Sequence, residues 1–359
     1  MLSLLFTCAV SAQDRSTLSG YIKDADDGET LIGANVYVPT IQKGTSSNAY
    51  GFYSISLPSR TYDVMFSYLG YQSVTRQVDL TGGNVTLDIE LVPAAAELEE
   101  VIVSSEVEDR NVSDLQMSVN RLDIQTIQKV PTLLGEVELI RSLLLLPGVS
   151  TVGEGATGFN VRGGTIDQNL VLLDEAPVYN SSHLFGFYSV FNPDAVKDVQ
   201  LYKGGIPARY GGRLSSILDV RMKEGNNKKF EMQGGIGLIF SRLSIEAPLI
   251  KDKASFIVAG RRSYADIIAR PFLSEEFDDS ALNFYDLTLK ANYQINTRNR
   301  VFVSAYLGRD NFRFGDAAGF DWGNTTSTIR WNHLFSERLF GNVTLYYSDY
   351  DYELHFGDE

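Results

Sequence analysis

The chain has 359 residues, of which 44% are hydrophobic, and its formal net charge is −14. This length allows about two or three domains, and the apolar content is sufficient for folded cores. Nucleic acids and anionic lipid headgroups attract basic surfaces, and this acidic chain has no run of lysines or arginines. We therefore predict no nucleic-acid partner.

Residues 1–12, MLSLLFTCAVSA, form an apolar run that ends in small residues, as a secretory signal peptide does. The run lacks a basic start, so the true start of the signal peptide is expected upstream. Cys8, the single cysteine, offers a lipoprotein acceptor site as the alternative. Cleavage after Ala12 would leave a mature chain without cysteine, which excludes disulfides and thiol catalysis.

Residues 16–93 alternate short strand candidates with turns that contain glycine. The candidates are Leu18 to Lys23, Asn35 to Val38, Gly51 to Leu57, Tyr62 to Tyr68, Ser73 to Leu80 and Val85 to Leu91. Asp26-Asp27-Gly28, Lys43-Gly44 and Gly82-Gly83 are read as turns, and the spacing predicts a small antiparallel sandwich. The segments GYIKDADDGETLIGANVYV, AYGFYSISLP and FSYLGYQS resemble the carboxypeptidase regulatory-like domain, which implies an Ig-like sandwich that acts as a spacer or docking module.

A zinc peptidase is the enzymatic alternative that this resemblance suggests. Catalytic zinc requires about three protein ligands, usually closely spaced histidines and carboxylates. None of His183, His333 and His355 begins an H-x-x-E or H-E-x-x-H motif. We therefore predict no catalytic residue, no metal ligand and no cofactor.

The segment between Leu143 and Lys223 has two apolar strand candidates, Asn169 to Leu173 and Val196 to Tyr202, among glycine-rich turns. The preceding stretch, Thr132 to Leu146, has helical apolar spacing and predicts a core helix that Pro147 ends. Gly153 to Gly158 fits the G-x-G-x-x-G pattern, but no strand precedes it, so a loop is predicted instead of a dinucleotide site.

Five short motifs in this region occur in a recognisable order. They are PGV at 147–149, VRGG at 161–164, LLDEAPV at 172–178, NPDAVKDVQLYKGG at 192–205 and ARYGGRLSSILDV at 208–220. They resemble the plug domain of TonB-dependent outer-membrane receptors. The resemblance implies that residues 120–225 form an α+β plug inside a transmembrane β-barrel, and that the chain is not an enzyme.

Residues 94–119 are predicted to be a linker. Its segment Glu99, Glu100, Val101, Ile102 and Val103 resembles the TonB box, both in sequence and in its place before the plug. On that reading the TonB–ExbB–ExbD energy-coupling complex is a partner, and TonB adds this segment to its own sheet edge. The alternative is an ordinary strand of the plug sheet.

Two groups of plug residues are candidate functional sites. Arg162, Arg209 and Arg213 are, by the resemblance, plug–barrel contacts that face carboxylates on the barrel wall; the alternative is surface arginines that stabilise turns. The second group lies in polar and aromatic loops that by the resemblance face the cell exterior: Asp167, Gln168, Tyr179, Asn180, His183 and Phe185. These loops are expected to meet the solute, or alternatively to pack against the barrel wall.

Residues 228–359 alternate apolar and polar side chains, as in Tyr285 to Gln294 and Val301 to Gly308. Short connectors at Pro248 to Lys253 and Asn296 to Asn299 alternate with longer polar ones at Ser274 to Ala281 and Gly315 to Asn324, as in outer-membrane barrels. No apolar stretch of about 18 residues follows the leader, so strands are expected to span the membrane. We count about six strands, whereas plugged transporters use about 22, so the barrel is expected to be incomplete in this chain.

The combined prediction is a mainly β chain: an N-terminal Ig-like β-sandwich, an α+β plug domain and the start of a transmembrane antiparallel β-barrel. It implies a receptor in the outer membrane of a Gram-negative cell, with the N-terminal domain in the periplasm. The expected function is energy-coupled uptake of a scarce or large solute. Expected partners are membrane lipid, an unknown extracellular ligand and a surface lipoprotein. The alternatives are a signalling receptor that relays ligand occupancy to a periplasmic regulator, and a surface binding protein that does not transport.

Overall fold

The computed structural model of the chain describes residues 15–94, 119–124, 127, 137–151, 153, 158–269, 280–314 and 318–356. The predicted signal peptide and the TonB-box-like segment 99–103 lie outside the described residues. The chain divides into two units. The first contains the described residues before 95 together with 333–341, and the second contains the remainder.

The first unit contains two four-stranded sheets. The strands are β1 (Arg15–Asp24), β2 (Asn35–Val38), β3 (Lys43–Ser46), β4 (Phe52–Pro58), β5 (Thr61–Ser67), β6 (Val74–Asp79), β7 (Val85–Thr86) and β8 (Ile89–Leu91). One sheet has the order β4-β1-β7 with β8 also on β1, and the other has the order β3-β2-β5-β6. Leu18, Val36 and Phe66 are fully buried in the core between them. Five of the six predicted sandwich strands are present, and the sixth, Val85 to Leu91, is divided into β7 and β8.

Strand β3 is an addition to the prediction, which read Lys43-Gly44 as a turn. It pairs antiparallel with β2, and three of its four residues are exposed. An edge strand that buries no apolar face has no hydrophobic alternation, so only its pairing with β2 reveals it. The pairing of β1 with β7 and β8 is parallel, which differs from the predicted purely antiparallel arrangement.

The plug in the second unit is built on a five-stranded sheet with the order β13-β12-β17-β16-β9. The elements are β9 (Val119–Asp123), α1 (Leu139–Leu143), β10 (Val149–Thr151), β11 (Phe159–Val161), β12 (Asn169–Leu173), β13 (Ala176–Pro177), β14 (Ser182–His183), β15 (Tyr188–Ser189), β16 (Val196–Tyr202) and β17 (Ser216–Met222). The predicted bounds of β12 and β16 are confirmed. Strands β12 and β17 run parallel, whereas β16 is antiparallel to β17.

Helix α1 is shorter than the predicted helix from Thr132 to Leu146. Glu138 has an extended backbone, with φ −119° and ψ 114°, and its carboxylate accepts the Arg141 N–H at 2.8 Å. Such a side-chain cap satisfies a backbone donor that a helix start leaves unpaired, so the helix begins at Leu139. None of the described helices has the length and apolar character required to cross a bilayer.

The remaining described strands form one seven-stranded sheet in sequence order. They are β18 (Glu231–Ile236), β19 (Phe240–Ile250), β20 (Ala254–Ser263), β21 (Ala281–Asn296), β22 (Asn299–Phe314), β23 (Ala318–Ser336) and β24 (Leu339–Phe356); a short helix, α2 (Ala265–Ala269), follows β20. The predicted polar loop from Gly315 to Asn324 is wrong in extent, because Ala318 already belongs to β23. Its glycines and polar residues carry no alternation, so pairing with β22 decides the strand.

The two faces of this sheet differ in polarity. On β21, Asp286, Lys290 and Asn292 are buried, whereas Leu287 and Leu289 are 40% and 37% exposed. A soluble sheet would bury its apolar side, and a transmembrane barrel exposes that side to lipid. The exposed apolar side of this sheet is therefore the side that a barrel turns to lipid. The opposite, polar side is buried because the plug covers it.

Candidate functional site between the plug and the barrel strands

The turn between β12 and β13 carries a buried ion pair between the plug and the strands. Asp174 Oδ2 lies 2.9 Å from Lys290 Nζ, and Lys290 also donates to the Met222 carbonyl oxygen at 2.8 Å. Asp174 Oδ1 accepts the Met222 N–H at 3.0 Å. Burial by itself raises the pKa of Asp174, but the charges of Lys290 and Arg330 outweigh it and hold this pKa below its usual value. The carboxylate is therefore ionised.

Two further ion pairs have the same polarity, with the acid on the plug and the base on a strand. Arg330 on β23 lies 3.7 Å from Glu175. Arg242 on β19 contacts Asp194, which precedes β16. Pairs of this kind offset the desolvation of each charge, and removal of one partner leaves the other charge buried and uncompensated.

A fourth contact involves His183 at the end of β14. His183 Nδ1 is 2.6 Å from Asp310 Oδ2 on β22, and Nε2 is 3.3 Å from Asp286 Oδ2 on β21. The imidazole is 1% exposed and stacks on Phe284 with a centroid distance of 4.3 Å. Asp286 is also bound by Arg261 on β20, at 2.6 Å.

The three arginines predicted as plug–barrel contacts are all exposed. In the described part of the chain, Arg209 donates to the hydroxyls of Tyr202 and Tyr210, and Arg213 donates to the Gly212 carbonyl oxygen, all within the plug. The assignment of Arg162, Arg209 and Arg213 to the barrel wall remains a prediction. The observed plug–strand ion pairs of Asp174, Glu175 and Asp194 have the opposite polarity.

A cleft of about 520 Å³ opens at the end of the plug sheet where β12 and β17 begin. It is lined by Phe159, Asn160, Thr165, Asp167, Tyr179 and Arg213, among other residues. Two of the predicted solute-facing residues, Asp167 and Tyr179, are in this lining and exposed. The cleft therefore combines an apolar wall with one acidic and one basic side chain.

The other predicted solute-facing residues lie outside this lining. Gln168 is half-buried, and its carbonyl oxygen accepts the Ser215 N–H at 2.9 Å. The Asn180 carbonyl oxygen accepts the Asn324 side-chain amide at 2.7 Å. Phe185 is 52% exposed, with its ring 5.0 Å from that of Trp322. His183 is buried against the barrel strands, the alternative that the sequence left open.

Sequence reasoning placed Asp286 and Lys290 on the polar face of a strand but did not identify them as partners of the plug. A charged residue in the middle of a strand that alternates with lipid-facing leucines could have signalled this role. The plug partners Asp174 and Asp194 had no comparable signal, because acidic residues at turns are common on any surface.

Two segments of the chain match known domain families. Residues 18–103 match the CarboxypepD_reg-like domain family, and residues 111–216 match the TonB-dependent receptor plug domain family. The chain is also 30% identical over 241 residues to TonB-dependent receptor P3 of Formosa agariphila. The chain belongs to the TonB-dependent receptor family. Members of this family are transporters and not enzymes, and homologues are outer-membrane β-barrel proteins that interact with TonB and bind extracellular ligands.

The matched region covers 64% of this receptor chain and 22% of the Formosa receptor. Two solved structures are similar over about two thirds of the chain. The siderophore receptor PirA of Pseudomonas aeruginosa is 17% identical, with a TM-score of 0.49 and coverage of 67% of this chain and 41% of that one. PirA of Acinetobacter baumannii is 15% identical, with a TM-score of 0.49 and coverage of 66% and 40%. The chain thus spans well under half the length of these relatives.

Proposed function

We propose that this receptor takes up a scarce or large solute across the outer membrane, with the plug as the gate of the barrel and energy supplied through TonB. The polar contact between plug and strands carries this proposal. Asp174, Glu175, Asp194 and His183 face charged side chains on the sheet instead of an apolar core. When such a contact separates, its charges regain hydration, so the plug can be displaced and can return.

The expected entry point for the solute is the cleft beside Asp167, Tyr179 and Arg213. Its volume of about 520 Å³ lies within the range of small-molecule sites, and apolar walls with a few polar groups are typical of them. Under this proposal these loops face the cell exterior. The apolar outer side of β21, with Leu287 and Leu289, contacts membrane lipid.

Under the same proposal, the segment Glu99 to Val103 is the handle that TonB grasps by adding a strand to its sheet. The sandwich of residues 16–93 is then a periplasmic spacer, and ExbB and ExbD supply the force through TonB. A surface lipoprotein partner would act on the outer side, next to the cleft.

Deletion of residues 99–103 from the intact receptor in its native cell tests this proposal. The probes are labelled ferric siderophores, oligosaccharides, peptides and cobalamin, supplied one at a time with and without a proton-gradient uncoupler. We expect the deletion to reduce accumulation of the transported probe to the uncoupled level while binding to the cell surface is unchanged. The matched control removes residues 104–108, which shortens the linker equally. Uncoupler-sensitive accumulation that survives the 99–103 deletion would contradict the assignment.

A further inference from the structure

His183 lies between two carboxylates that approach opposite edges of its ring. Asp310 Oδ2 is 2.6 Å from Nδ1, and Asp286 Oδ2 is 3.3 Å from Nε2. A neutral imidazole carries one N–H, so it would direct a lone pair at one of these carboxylates. The doubly protonated ring donates to both. The geometry therefore favours the imidazolium.

The charges of the surrounding groups support the same form. Arg261 neutralises one carboxylate, because its Nε and terminal nitrogen both bind Asp286, at 2.7 and 2.6 Å. Asp310 then requires a second cation within this cluster, and the His183 ring is the group in contact with it. The Tyr306 hydroxyl, 3.1 Å from Nε2, is the group that would donate to a neutral ring instead.

The same carboxylate that binds the ring also holds the turn that follows it. Asp310 Oδ1 accepts the Leu184 N–H at 2.8 Å. Leu184 and Phe185 have φ values of 49° and 57°, in the left-handed region that costs free energy for residues other than glycine. This conformation persists where surrounding contacts over-determine it. It leaves Phe185 half-exposed against the rings of Phe312 and Trp322.

We propose that His183, as an imidazolium, is a positioning residue that clamps the turn 184–186 to β21 and β22, and that loss of its proton to solvent releases Phe185 from this position. The proposal rests on the proposed function in one respect, namely that the loops of the plug face the cell exterior. It assigns to the turn a pH-dependent attachment to the barrel strands. When the turn is attached to the strands, Phe185 is held in its position.

The direction of the pH dependence follows from the titratable and charged groups, among the described residues, that face the ring or its neighbour Arg261. These are Asp310 and Tyr306 on β22, Asp286 on β21, Arg261 on β20, and Glu138 beside Arg261 at the start of α1. Burial lowers the pKa of His183, but the Asp310 and Asp286 carboxylates outweigh it and raise this pKa above the ordinary 6.5. The clamp is therefore fully present below pH ~6.5 and is lost as the pH rises through the raised value.

Nitrogen-15 NMR of the intact receptor tests the protonation state directly. The chain has three histidines, so His333→Gln and His355→Gln leave His183 as the single labelled ring. At about pH 7.5 an ordinary histidine is roughly nine-tenths neutral. We expect His183 to show two protonated ring nitrogens at this pH. One protonated and one unprotonated nitrogen would overturn the proposal and favour the Tyr306 hydroxyl as the donor.

A spin label at Phe185→Cys, in a Cys8→Ser background, reports the attachment of the turn. We expect low mobility at about pH 6.5 and a several-fold increase at about pH 9.5. His183→Gln should be mobile at both values, whereas His183→Gln with Asp310→Asn, a neutral hydrogen-bonding pair, should restore low mobility at both. A His183→Gln profile that matches the parent would refute the clamp. Neither measurement requires uptake, so a receptor that fails to transport would contradict the proposed function and leave the clamp intact.

Discussion

The sandwich and the seven-stranded sheet use the same alternation of apolar and polar residues with opposite outcomes. On β4 of the sandwich, Ile55 and Leu57 are 4% and 0% exposed. On β21, Leu289 is 37% exposed and its neighbour Lys290 is 4% exposed. Alternation therefore reports that a strand has two different environments, and the neighbours of each face decide which environment is apolar.

The physical reason lies in what covers each face. The two sheets of the sandwich bury their apolar faces against each other, and water solvates the outer polar faces. The polar face of the barrel strands has no bulk water where the plug lies, so its charges are paired with plug side chains such as Asp174. The sandwich is thus stabilised by its apolar core, and the plug is held in part by ion pairs.

The largest expected difference between the two regions concerns these ion pairs. Asp174→Ala leaves the Lys290 ammonium buried without its partner and is expected to destabilise the receptor by about 3–5 kcal/mol. Lys23→Ala in the sandwich removes a half-exposed pair with Asp88, at 3.8 Å, and should cost about 0–1 kcal/mol. Denaturant unfolding of the receptor in lipid vesicles measures both. Equal losses of unfolding free energy in the two variants would contradict the expected difference between the two regions.

A double variant sharpens this test. Asp174→Leu combined with Lys290→Met replaces both charges with apolar groups and should recover most of the loss, because neither charge is then left uncompensated. A double variant as unstable as Asp174→Ala would show that the hydrogen bonds to Met222 matter more than the charge pair.

The next largest difference is expected between the outer face of the barrel strands and the outer face of the sandwich, when a lysine is introduced on each. Leu289→Lys places a charge on the lipid-facing side of β21 and is expected to cost about 2–4 kcal/mol if the position is near the bilayer midplane. Thr75→Lys on the exposed face of β6 should stay within about 0.5 kcal/mol. The yield of folded receptor in vesicles and its unfolding free energy are the measurements. Tolerance of lysine at position 289 would argue against lipid contact there.

A smaller, pH-dependent difference is expected at Glu224, which follows β17. Burial alone raises the pKa of Glu224, but Arg300, 2.9 Å away, and other cations lower it to about 2. The contribution of Glu224 to the free energy of unfolding, about 2–3 kcal/mol at neutral pH, should fall as the pH drops from ~4.3 through the lowered pKa. Glu224→Gln should remove the dependence.

The matching group in the sandwich is Asp79, an exposed carboxylate. Hydrogen bonds from the Thr81 N–H and hydroxyl lower the pKa of Asp79. Asp79, like Glu224, therefore contributes stability that is lost as the pH falls. Because water competes for this exposed carboxylate, Asp79→Asn should change the acid dependence of unfolding less than Glu224→Gln does. Comparison of unfolding between pH ~2 and ~7 for both variants checks the order. A larger change in this pH dependence for Asp79→Asn than for Glu224→Gln would contradict the expected order.

Local pattern was sufficient to predict most strands, because their residues alternate or are continuously apolar. Strands β12 and β16 have the predicted bounds, and the sandwich strands recur at the predicted places. The start of α1 was missed because the Glu138 cap interrupts a helical apolar spacing that continues on both sides. Strand β3 was missed because an exposed edge strand needs no apolar residue.

The candidate site was predictable only in part. The exposed loops with Asp167, Tyr179 and Phe185 were identified from their polar and aromatic residues. The partners Lys290, Arg242 and Asp310 were not identified as plug contacts, because which plug residue meets which strand depends on how the plug sheet packs, and no spacing along the chain encodes it.

The sequence by itself determined the order of domains, the β-rich class and the two-faced character of the barrel strands, since these follow from local composition and period. The tertiary structure alone decided which plug residues pair with which strand residues, and it alone decided the burial of His183. Both depend on residues that are distant in the chain, such as His183 and Asp310 or Asp174 and Lys290. Long-range contacts arise from the packing of whole sheets, and no local pattern specifies them.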